Sequence, residues 1–396
     1  MPSLRERIDA DFEFLKSFRH DLHQHPELSY EEIRTSQRVV EELSEIGIVH
    51  VSGLAKGTGI VGWLPATKPG GKTIALRADM DALPIHEETG VPYASRVDGK
   101  MHACGHDGHT TILLGVARAL RNEEDRLNNI IFVFQPAEEG GAGGKAMCED
   151  GALNGTVIGE PADCIFGLHG WPARPQGQFS TKPGPVMAST DQFFVTVRGR
   201  GGHAAAPELS SDSVLAAAQM IVGLQSLVSR NVPPVESAVL SVTMLSAGTA
   251  TNIIPEHVEF AGTIRTLNDG IRALMRKRFY ESVEGMAASM GVTVEIRWEE
   301  GYPVTVNDEW ATSHFFNVAE RTFGERVNVE PYPKLGAEDF SFYGHYVPAA
   351  FYFVGLQRPD ETDSPGLHTP RFDFNDNVIC DCVEMMCRLA LAPVVK

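Results

Sequence analysis

The chain has 396 residues, 43% of them hydrophobic and 22% charged, and a formal net charge of −18. That length favours two domains over a single core. So acidic a surface repels phosphate backbones and anionic lipid, so neither nucleic acid nor a membrane is expected as a partner. The opening segment from Met1 to Asp9 carries no apolar signal core, and no apolar run approaches the length of a membrane span. Six cysteines scattered over the chain do not make a secreted disulfide framework, and the expectation is a soluble, cytoplasmic protein. Cys148, Cys164 and Cys387 lie in apolar surroundings and read as packing residues, as do Cys380 and Cys382 in a C-terminal helix; Cys104 is set apart by its neighbours.

In chain order, a helix opens the molecule and a second is predicted over Ser29 to Ile46, ending before Gly47. Short β-branched runs follow at Gly59–Trp63, Thr73–Arg77 and Ile130–Phe134, with the apolar spacing of a buried helix at Thr110–Leu120. Alternating helices and strands are the pattern of an α/β domain with a mostly parallel, mixed sheet covered by helices. Near Lys182-Pro183-Gly184-Pro185 the style changes. Strands are predicted at Phe193–Arg198, Ala238–Leu245, Val258–Arg265 and Val292–Arg297, and helices at Ser213–Val228 and Ile271–Met290. That order is the split β-α-β unit of a ferredoxin-like α+β domain. From about Val304 the first pattern resumes, so residues 188–301 are expected as an insertion into a domain made of residues 1–187 and 302–396.

Four apolar strand candidates lead into metal-capable or acid–base side chains. Thr73–Arg77 precedes Asp79 and Asp81. Ile130–Phe134 precedes Glu138 and Glu139. Cys164–Leu168 precedes His169, and Ala350–Val354 is followed, after a loop, by His368. Carboxyl ends of strands in an open α/β sheet share one edge, where such groups converge. A fifth segment, Met101-His102-Ala103-Cys104-Gly105-His106-Asp107-Gly108-His109-Thr110, stands before the buried helix. A thiolate, imidazoles and a carboxylate form a mixed set suited to zinc, manganese, cobalt or nickel, whereas calcium and magnesium prefer all-oxygen shells. Adjacent carboxylates diverge, so of Glu138 and Glu139 one can bind metal while the other moves protons, the division that metal-assisted hydrolysis needs. Taken singly, each signal has an ordinary structural explanation; their combination at several strand ends carries the reading. Asp79 and Asp81 are expected to orient imidazoles. His20, His23 and His25 flank a helix end, lack a strand-edge setting and are not read as a metal cluster.

The ordered motifs resemble the aminoacylase-type metallopeptidase superfamily, in its branch of hippurate hydrolases and indoleacetyl-amino-acid hydrolases. They run from His20-Asp21-Leu22-His23 and His25-Pro26-Glu27 through Arg77-Ala78-Asp79-Met80-Asp81-Ala82-Leu83-Pro84, the Cys104 segment, Gln135-Pro136-Ala137-Glu138-Glu139 and Gly167-Leu168-His169. Later come Gly199-Arg200-Gly201-Gly202-His203-Ala204-Ala205, Asn252-Ile253-Ile254-Pro255, Gly262-Thr263-Ile264-Arg265, Gly336-Ala337-Glu338-Asp339-Phe340-Ser341 and His368-Thr369-Pro370, so nearly the whole chain is covered.

The resemblance implies a zinc-peptidase-like catalytic domain with a ferredoxin-like lid through which the protein forms a homodimer or higher homo-oligomer. It implies two divalent ions (Zn²⁺, Mn²⁺, Co²⁺ or Ni²⁺) held by Cys104, His106, Glu139, His169 and His368, with Glu138 as general acid/base. It also implies that His203 contacts the oxyanion and that Asn252 and Arg265 hold the substrate carboxylate. The activity implied is cleavage of a small N-acyl amino acid into a carboxylic acid and a free amino acid. Three rivals stand beside it: a dipeptidase or aminopeptidase with the same metals, an acyltransferase with Cys104 as nucleophile, and a non-catalytic metal-binding protein. A closed structural site has no need of a spare carboxylate such as Glu138. Gly170, at a position where relatives often carry a bulkier residue, is expected to widen the pocket.

Overall fold

The computed structural model describes residues 2–394. Two compact units emerge. The first comprises residues 1–186, 306–332 and 339–396, and the second residues 187–305 together with the short stretch 333–338.

The first unit is built on an eight-stranded sheet. Its strands, in spatial order, are Val49–Leu54, Gly59–Leu64, Asn129–Gln135, Thr73–Asp79, Cys164–Pro175, Ala349–Gln357, Phe179–Thr181 and Val327–Val329. The four central strands, from Asn129–Gln135 to Ala349–Gln357, are mutually parallel. The outer pairs include antiparallel steps, so the sheet is mixed, as the helix–strand alternation predicts. Every residue of Thr73–Asp79 is buried, as expected for a strand covered on both faces. The helix His106–Arg121 packs against these strands with Ile379–Leu391 beside it, and Phe12–Gln24 lies over both. Register aligns Asp79 with Gln135 and Arg77 with Gly167, and His169 with Phe353. The carboxyl ends of the parallel strands therefore reach one level of the sheet.

Several elements differ from the sequence expectation. The second predicted helix begins at Ile33 rather than Ser29. Tyr30 has a left-handed backbone (φ 64°), the Ser29 hydroxyl donates to Asp81, and the Glu27 carboxylate accepts the amides of Arg34 and Thr35, so the chain turns before it coils. The buried helix begins at His106, four residues before Thr110, because Gly105 at φ +88° supplies the turn that starts it. The strand carrying His169 does not end there but runs to Pro175. The strand Val49–Leu54, not predicted from the sequence, is a largely exposed edge in which Val49 and Val51 face outward and the apolar–polar alternation is short.

The second unit has the order strand, helix, strand, strand, helix, strand. Its antiparallel sheet runs Ala238–Ala247, His257–Thr266, Ser189–Arg198, Thr293–Glu300. The helices Ser213–Asn231 and Asp269–Met290 bury Met220, Leu224, Met275, Phe279 and Val283 against Phe193, Val195, Val197 and Phe260. This is the ferredoxin-like arrangement. Among the described residues no helix is long and apolar enough to cross a membrane.

Candidate metal centre

The turn after Asn129–Gln135 carries Glu138 and Glu139. It is pinned by Asp81, whose Oδ1 accepts the Glu138 amide at 3.0 Å and whose Oδ2 accepts the Glu139 amide at 2.9 Å. Ala137, just before, adopts φ 54°, a left-handed conformation costly for alanine, and its amide donates to the Glu32 carboxylate at 2.8 Å. The adjacent side chains diverge as the sequence implies. Glu139 faces His368, with Oε1 and Nε2 3.1 Å apart, while Glu138 Oε1 accepts the Asp339 amide at 3.4 Å.

Opposite this turn stand Cys104 and the start of the His106 helix. Cys104 Sγ lies 3.3 Å from His169 Nε2. Potential ligand atoms within 4.8 Å of one another form overlapping sets: Cys104, His106 and His169; Cys104, Glu139 and His368; and His106, Glu138 and Glu139. The residues expected as ligands and the expected acid/base thus share one small volume. His368 is held at its rim by a left-handed backbone (φ 59°) and by its backbone N–H, which donates a hydrogen bond to Ala103 O at 2.9 Å, with its side chain 53% exposed.

Donor geometry fits a cation. His106 Nδ1 faces Asp81 Oδ1 at 3.2 Å; in the neutral ring with its hydrogen directed there Nε2 offers a free lone pair, and that atom is buried and without a hydrogen-bond partner. Burial would lower the His106 pKa, but Asp79, Asp81 and Glu139 raise it to about 10. The carboxylates therefore draw positive charge into the spot that a divalent ion would fill. Burial, with Glu139, Glu138 and Asp79, pushes the Cys104 thiol well up, whereas burial and the neighbouring imidazoles hold His169 neutral. Burial would raise the Asp79 pKa, but His106, Arg77 and His109 hold it well below the usual carboxylate range.

Several groups at the site were not singled out from sequence. Buried Arg77 donates to Asp79 Oδ2 at 2.6 Å, Gln135 Oε1 at 2.7 Å and Asp339 Oδ1 at 2.8 Å, tying the ends of two strands to the start of the short helix Asp339–His345. His109 lies three residues beyond His106, a spacing that places both on one helix face and could have flagged it. The histidines discounted as a cluster are employed elsewhere. His23 faces Asp107 at 2.9 Å and Glu87 at 3.2 Å, and His20 faces Asp376 at 2.8 Å. Gly170 does not widen a pocket: a Cβ there would lie 2.7 Å from Leu356 and 3.1 Å from Phe374 in the core.

In the second unit, His203 and Asn252 are exposed neighbours joined by the short pairing of Gly202–His203 with Ile253–Ile254, and Ala204 N–H donates to Asn252 O at 3.1 Å. Arg265 is half-buried near the far end of His257–Thr266. The eight residue steps from His257 to Arg265 span about 26 Å at roughly 3.3 Å each. The structure therefore does not bring Arg265 and Asn252 of one chain together, because a full strand length separates them.

Residues 75–392 match the description Peptidase family M20/M25/M40. The chain belongs to that family. It is 39% identical over 394 residues to a hippurate hydrolase of Campylobacter jejuni, covering 99% of both chains. It is 38% identical over 380 residues to an N-acetylcysteine deacetylase of Bacillus subtilis, covering 95% of this chain and 96% of the relative. Among solved structures it is similar to a Bacillus subtilis dinuclear metal-binding peptidase of the M20 family, with TM-score 0.83 and 34% identity over 97% of this chain and 98% of that one. The M20 fold and a divalent-metal chemistry follow from these matches and from the clustered donors.

Proposed function

We propose that this chain is a metal-dependent amidohydrolase that cleaves the amide bond of N-acyl amino acids to a carboxylic acid and a free amino acid. The observation that carries the reading is the convergence of one thiol, three imidazoles and Glu139 beside a separate carboxylate, Glu138. The names of the hippurate hydrolase and the N-acetylcysteine deacetylase support the substrate class. Two ions are assigned, held by Cys104, His106, Glu139, His169 and His368; zinc, manganese, cobalt and nickel all suit that mixed donor set.

When bound, the ions supply Lewis acidity that polarises the scissile carbonyl and acidifies the attacking water. Glu138, buried and adjacent to the donors, takes a proton from that water and returns it to the leaving nitrogen. Asp81 holds the His106 imidazole that carries an ion, and Asp79 holds the neighbouring His109 imidazole. By the family resemblance His203 stabilises the developing oxyanion and Asn252 contacts the substrate carboxylate. Arg265 serves that carboxylate only if it comes from a different copy of the chain than Asn252. The high pKa of the buried Cys104 thiol supports a ligand rather than a free nucleophile, since the thiolate forms readily only with a cation beside it.

Residues 1–187 and 302–396 are assigned as the catalytic domain and 188–301 as a lid, apart from residue 187 and the stretches 302–305 and 333–338, which group with the second unit. A homodimer or larger homo-oligomer forms through the lid edge strand Ala238–Ala247, where Met244 and Leu245 are more than half exposed; the other edge, Thr293–Glu300, carries charges that discourage pairing. All six cysteines are unpaired, which supports a reducing, cytoplasmic location.

The deciding experiment is turnover of benzoyl-, acetyl- and indoleacetyl-amino acids against free dipeptides, using protein reconstituted with each metal. Blocked N-acyl substrates should outpace dipeptides. Preferential turnover of free dipeptides would replace this reading with a dipeptidase, and a trapped acyl-thioester on Cys104 would replace it with acyl transfer.

A further inference from the structure

The ladder between Thr73–Asp79 and Cys164–Pro175 stops at Arg77 opposite Gly167, while the second strand runs on through His169. Beyond that point its buried backbone groups need other partners. The Gly170 amide finds one in the side chain of His109, donating to Nε2 at 3.0 Å. The other ring nitrogen of His109 faces Asp79 Oδ1 at 2.7 Å. One residue back, His169 Nδ1 lies 2.7 Å from Gly170 O, and its Nε2 points at Cys104.

Donor and acceptor roles here are fixed without seeing a hydrogen. A backbone N–H can only donate, so His109 Nε2 accepts and Nδ1 carries the hydrogen directed at Asp79. A backbone carbonyl can only accept, so His169 Nδ1 carries its hydrogen and Nε2 is bare. The Gly170 main chain thus links two imidazoles and specifies the tautomer of each. A Cβ at this link would lie 2.7 Å from the Leu356 side chain and 3.1 Å from Phe374, so a larger residue needs those side chains to shift.

We propose that His109 is a positioning residue for the metal centre: held by Asp79, it anchors the Gly170 main chain, which in turn locks His169 with Nε2 directed at the metal. The inference rests on the reading of His169 as a metal ligand. His109 touches neither substrate nor metal in this scheme; it acts through Gly170.

Two substitutions separate the two hydrogen bonds. In His109→Asn the side-chain amide replaces Nδ1 and keeps Asp79, but leaves the Gly170 amide unpaired. In His109→Gln the longer side chain places its carbonyl where Nε2 was and accepts the Gly170 amide. Affinity for Zn²⁺ and for Mn²⁺ is measured by competition with a chromophoric chelator. Affinity for one of the two ions should fall about 10–100-fold in His109→Asn, the loss typical of a group that orients a ligand, and recover at least in part in His109→Gln. Wild-type affinity in His109→Asn, or equal losses in both variants, would overturn the proposal. Imidazole ¹⁵N shifts of the metal-free wild-type protein give a second reading that needs no variant to fold. They should show His169 protonated on Nδ1, and a proton on Nε2 instead would overturn it. His169→Ala distinguishes the underlying assumption. If it retains both ions at native affinity, the ligand reading fails. If it loses an ion while His109→Asn does not, only the present proposal fails.

Discussion

Glu138 and Glu139 are neighbours with opposite assignments, and the difference lies in what each faces. Glu139 looks across to His368, whereas Glu138 is buried against the Asp339 amide. Glu138→Gln keeps volume and hydrogen bonding but removes the proton acceptor. It should cut kcat by about 10²–10⁴ while metal content by atomic emission stays at the wild-type level; undiminished kcat would remove Glu138 from its role. Cys104→Ala should instead lose metal, and activity in the wild-type protein should vanish on chelation and return with Zn²⁺, Mn²⁺, Co²⁺ or Ni²⁺. Activity that survives complete chelation would argue for the thiol as nucleophile. At this scale the sequence was readable where chemistry is unusual, as in Cys104-Gly105-His106 or Glu138-Glu139. It was opaque where ordinary residues act through geometry. Nothing in the letters Arg77, His109 or Gly170 says that an arginine ties two strand ends to a short helix or that a glycine amide meets an imidazole across 61 positions.

At the level of elements, the helix Phe12–Gln24 is fastened to His106–Arg121 through buried charges. Arg19 and His23 both meet Asp107, and His23 also meets Glu87. Burial opposes the charge on His23, but Asp107 and Glu87 raise its pKa from 6.5 to about 9. A folded-state pKa above the unfolded one adds stability that is fully present below pH 6.5 and is lost as pH rises through about 9. That gain is at most about 3 kcal/mol. In thermal melts across pH, the wild type should exceed His23→Gln most below pH 6.5, with the gap closing toward pH 10; a gap independent of pH would contradict the charged pairing. The start of the helix His106–Arg121 is a separate test. Gly105→Ala places a Cβ at a positive φ and 2.9 Å from Phe374, and should cost about 1–3 kcal/mol in denaturant unfolding; a neutral result would show that the turn is not constrained. Element types were legible because apolar periodicity separates strand from helix. Their ends were not, because Gly105, Tyr30 and the Glu27 carboxylate set them through turns and caps that a hydrophobic pattern does not record.

For the molecule as a whole, the alternating pattern and the β-α-β-β-α-β run were enough to anticipate a mixed, centrally parallel sheet and a ferredoxin-like unit, since both follow from which faces must be buried. The stretch 333–338, which belongs with the second unit, carries no such signal. Assembly is where sequence is most silent. If the lid edge Ala238–Ala247 pairs with its copy, replacing Met244 and Leu245 together by lysine should shift sedimentation toward monomer, and unchanged sedimentation would place the interface elsewhere. The account as a whole depends on one constellation of donors. Anomalous diffraction from crystals grown with Zn²⁺ tests it most directly. It should show two peaks, bonded at about 2.0–2.3 Å to Cys104, His106, Glu139, His169 and His368 and leaving Glu138 uncoordinated. A single peak, or one bonded to Glu138 in place of those ligands, would contradict it.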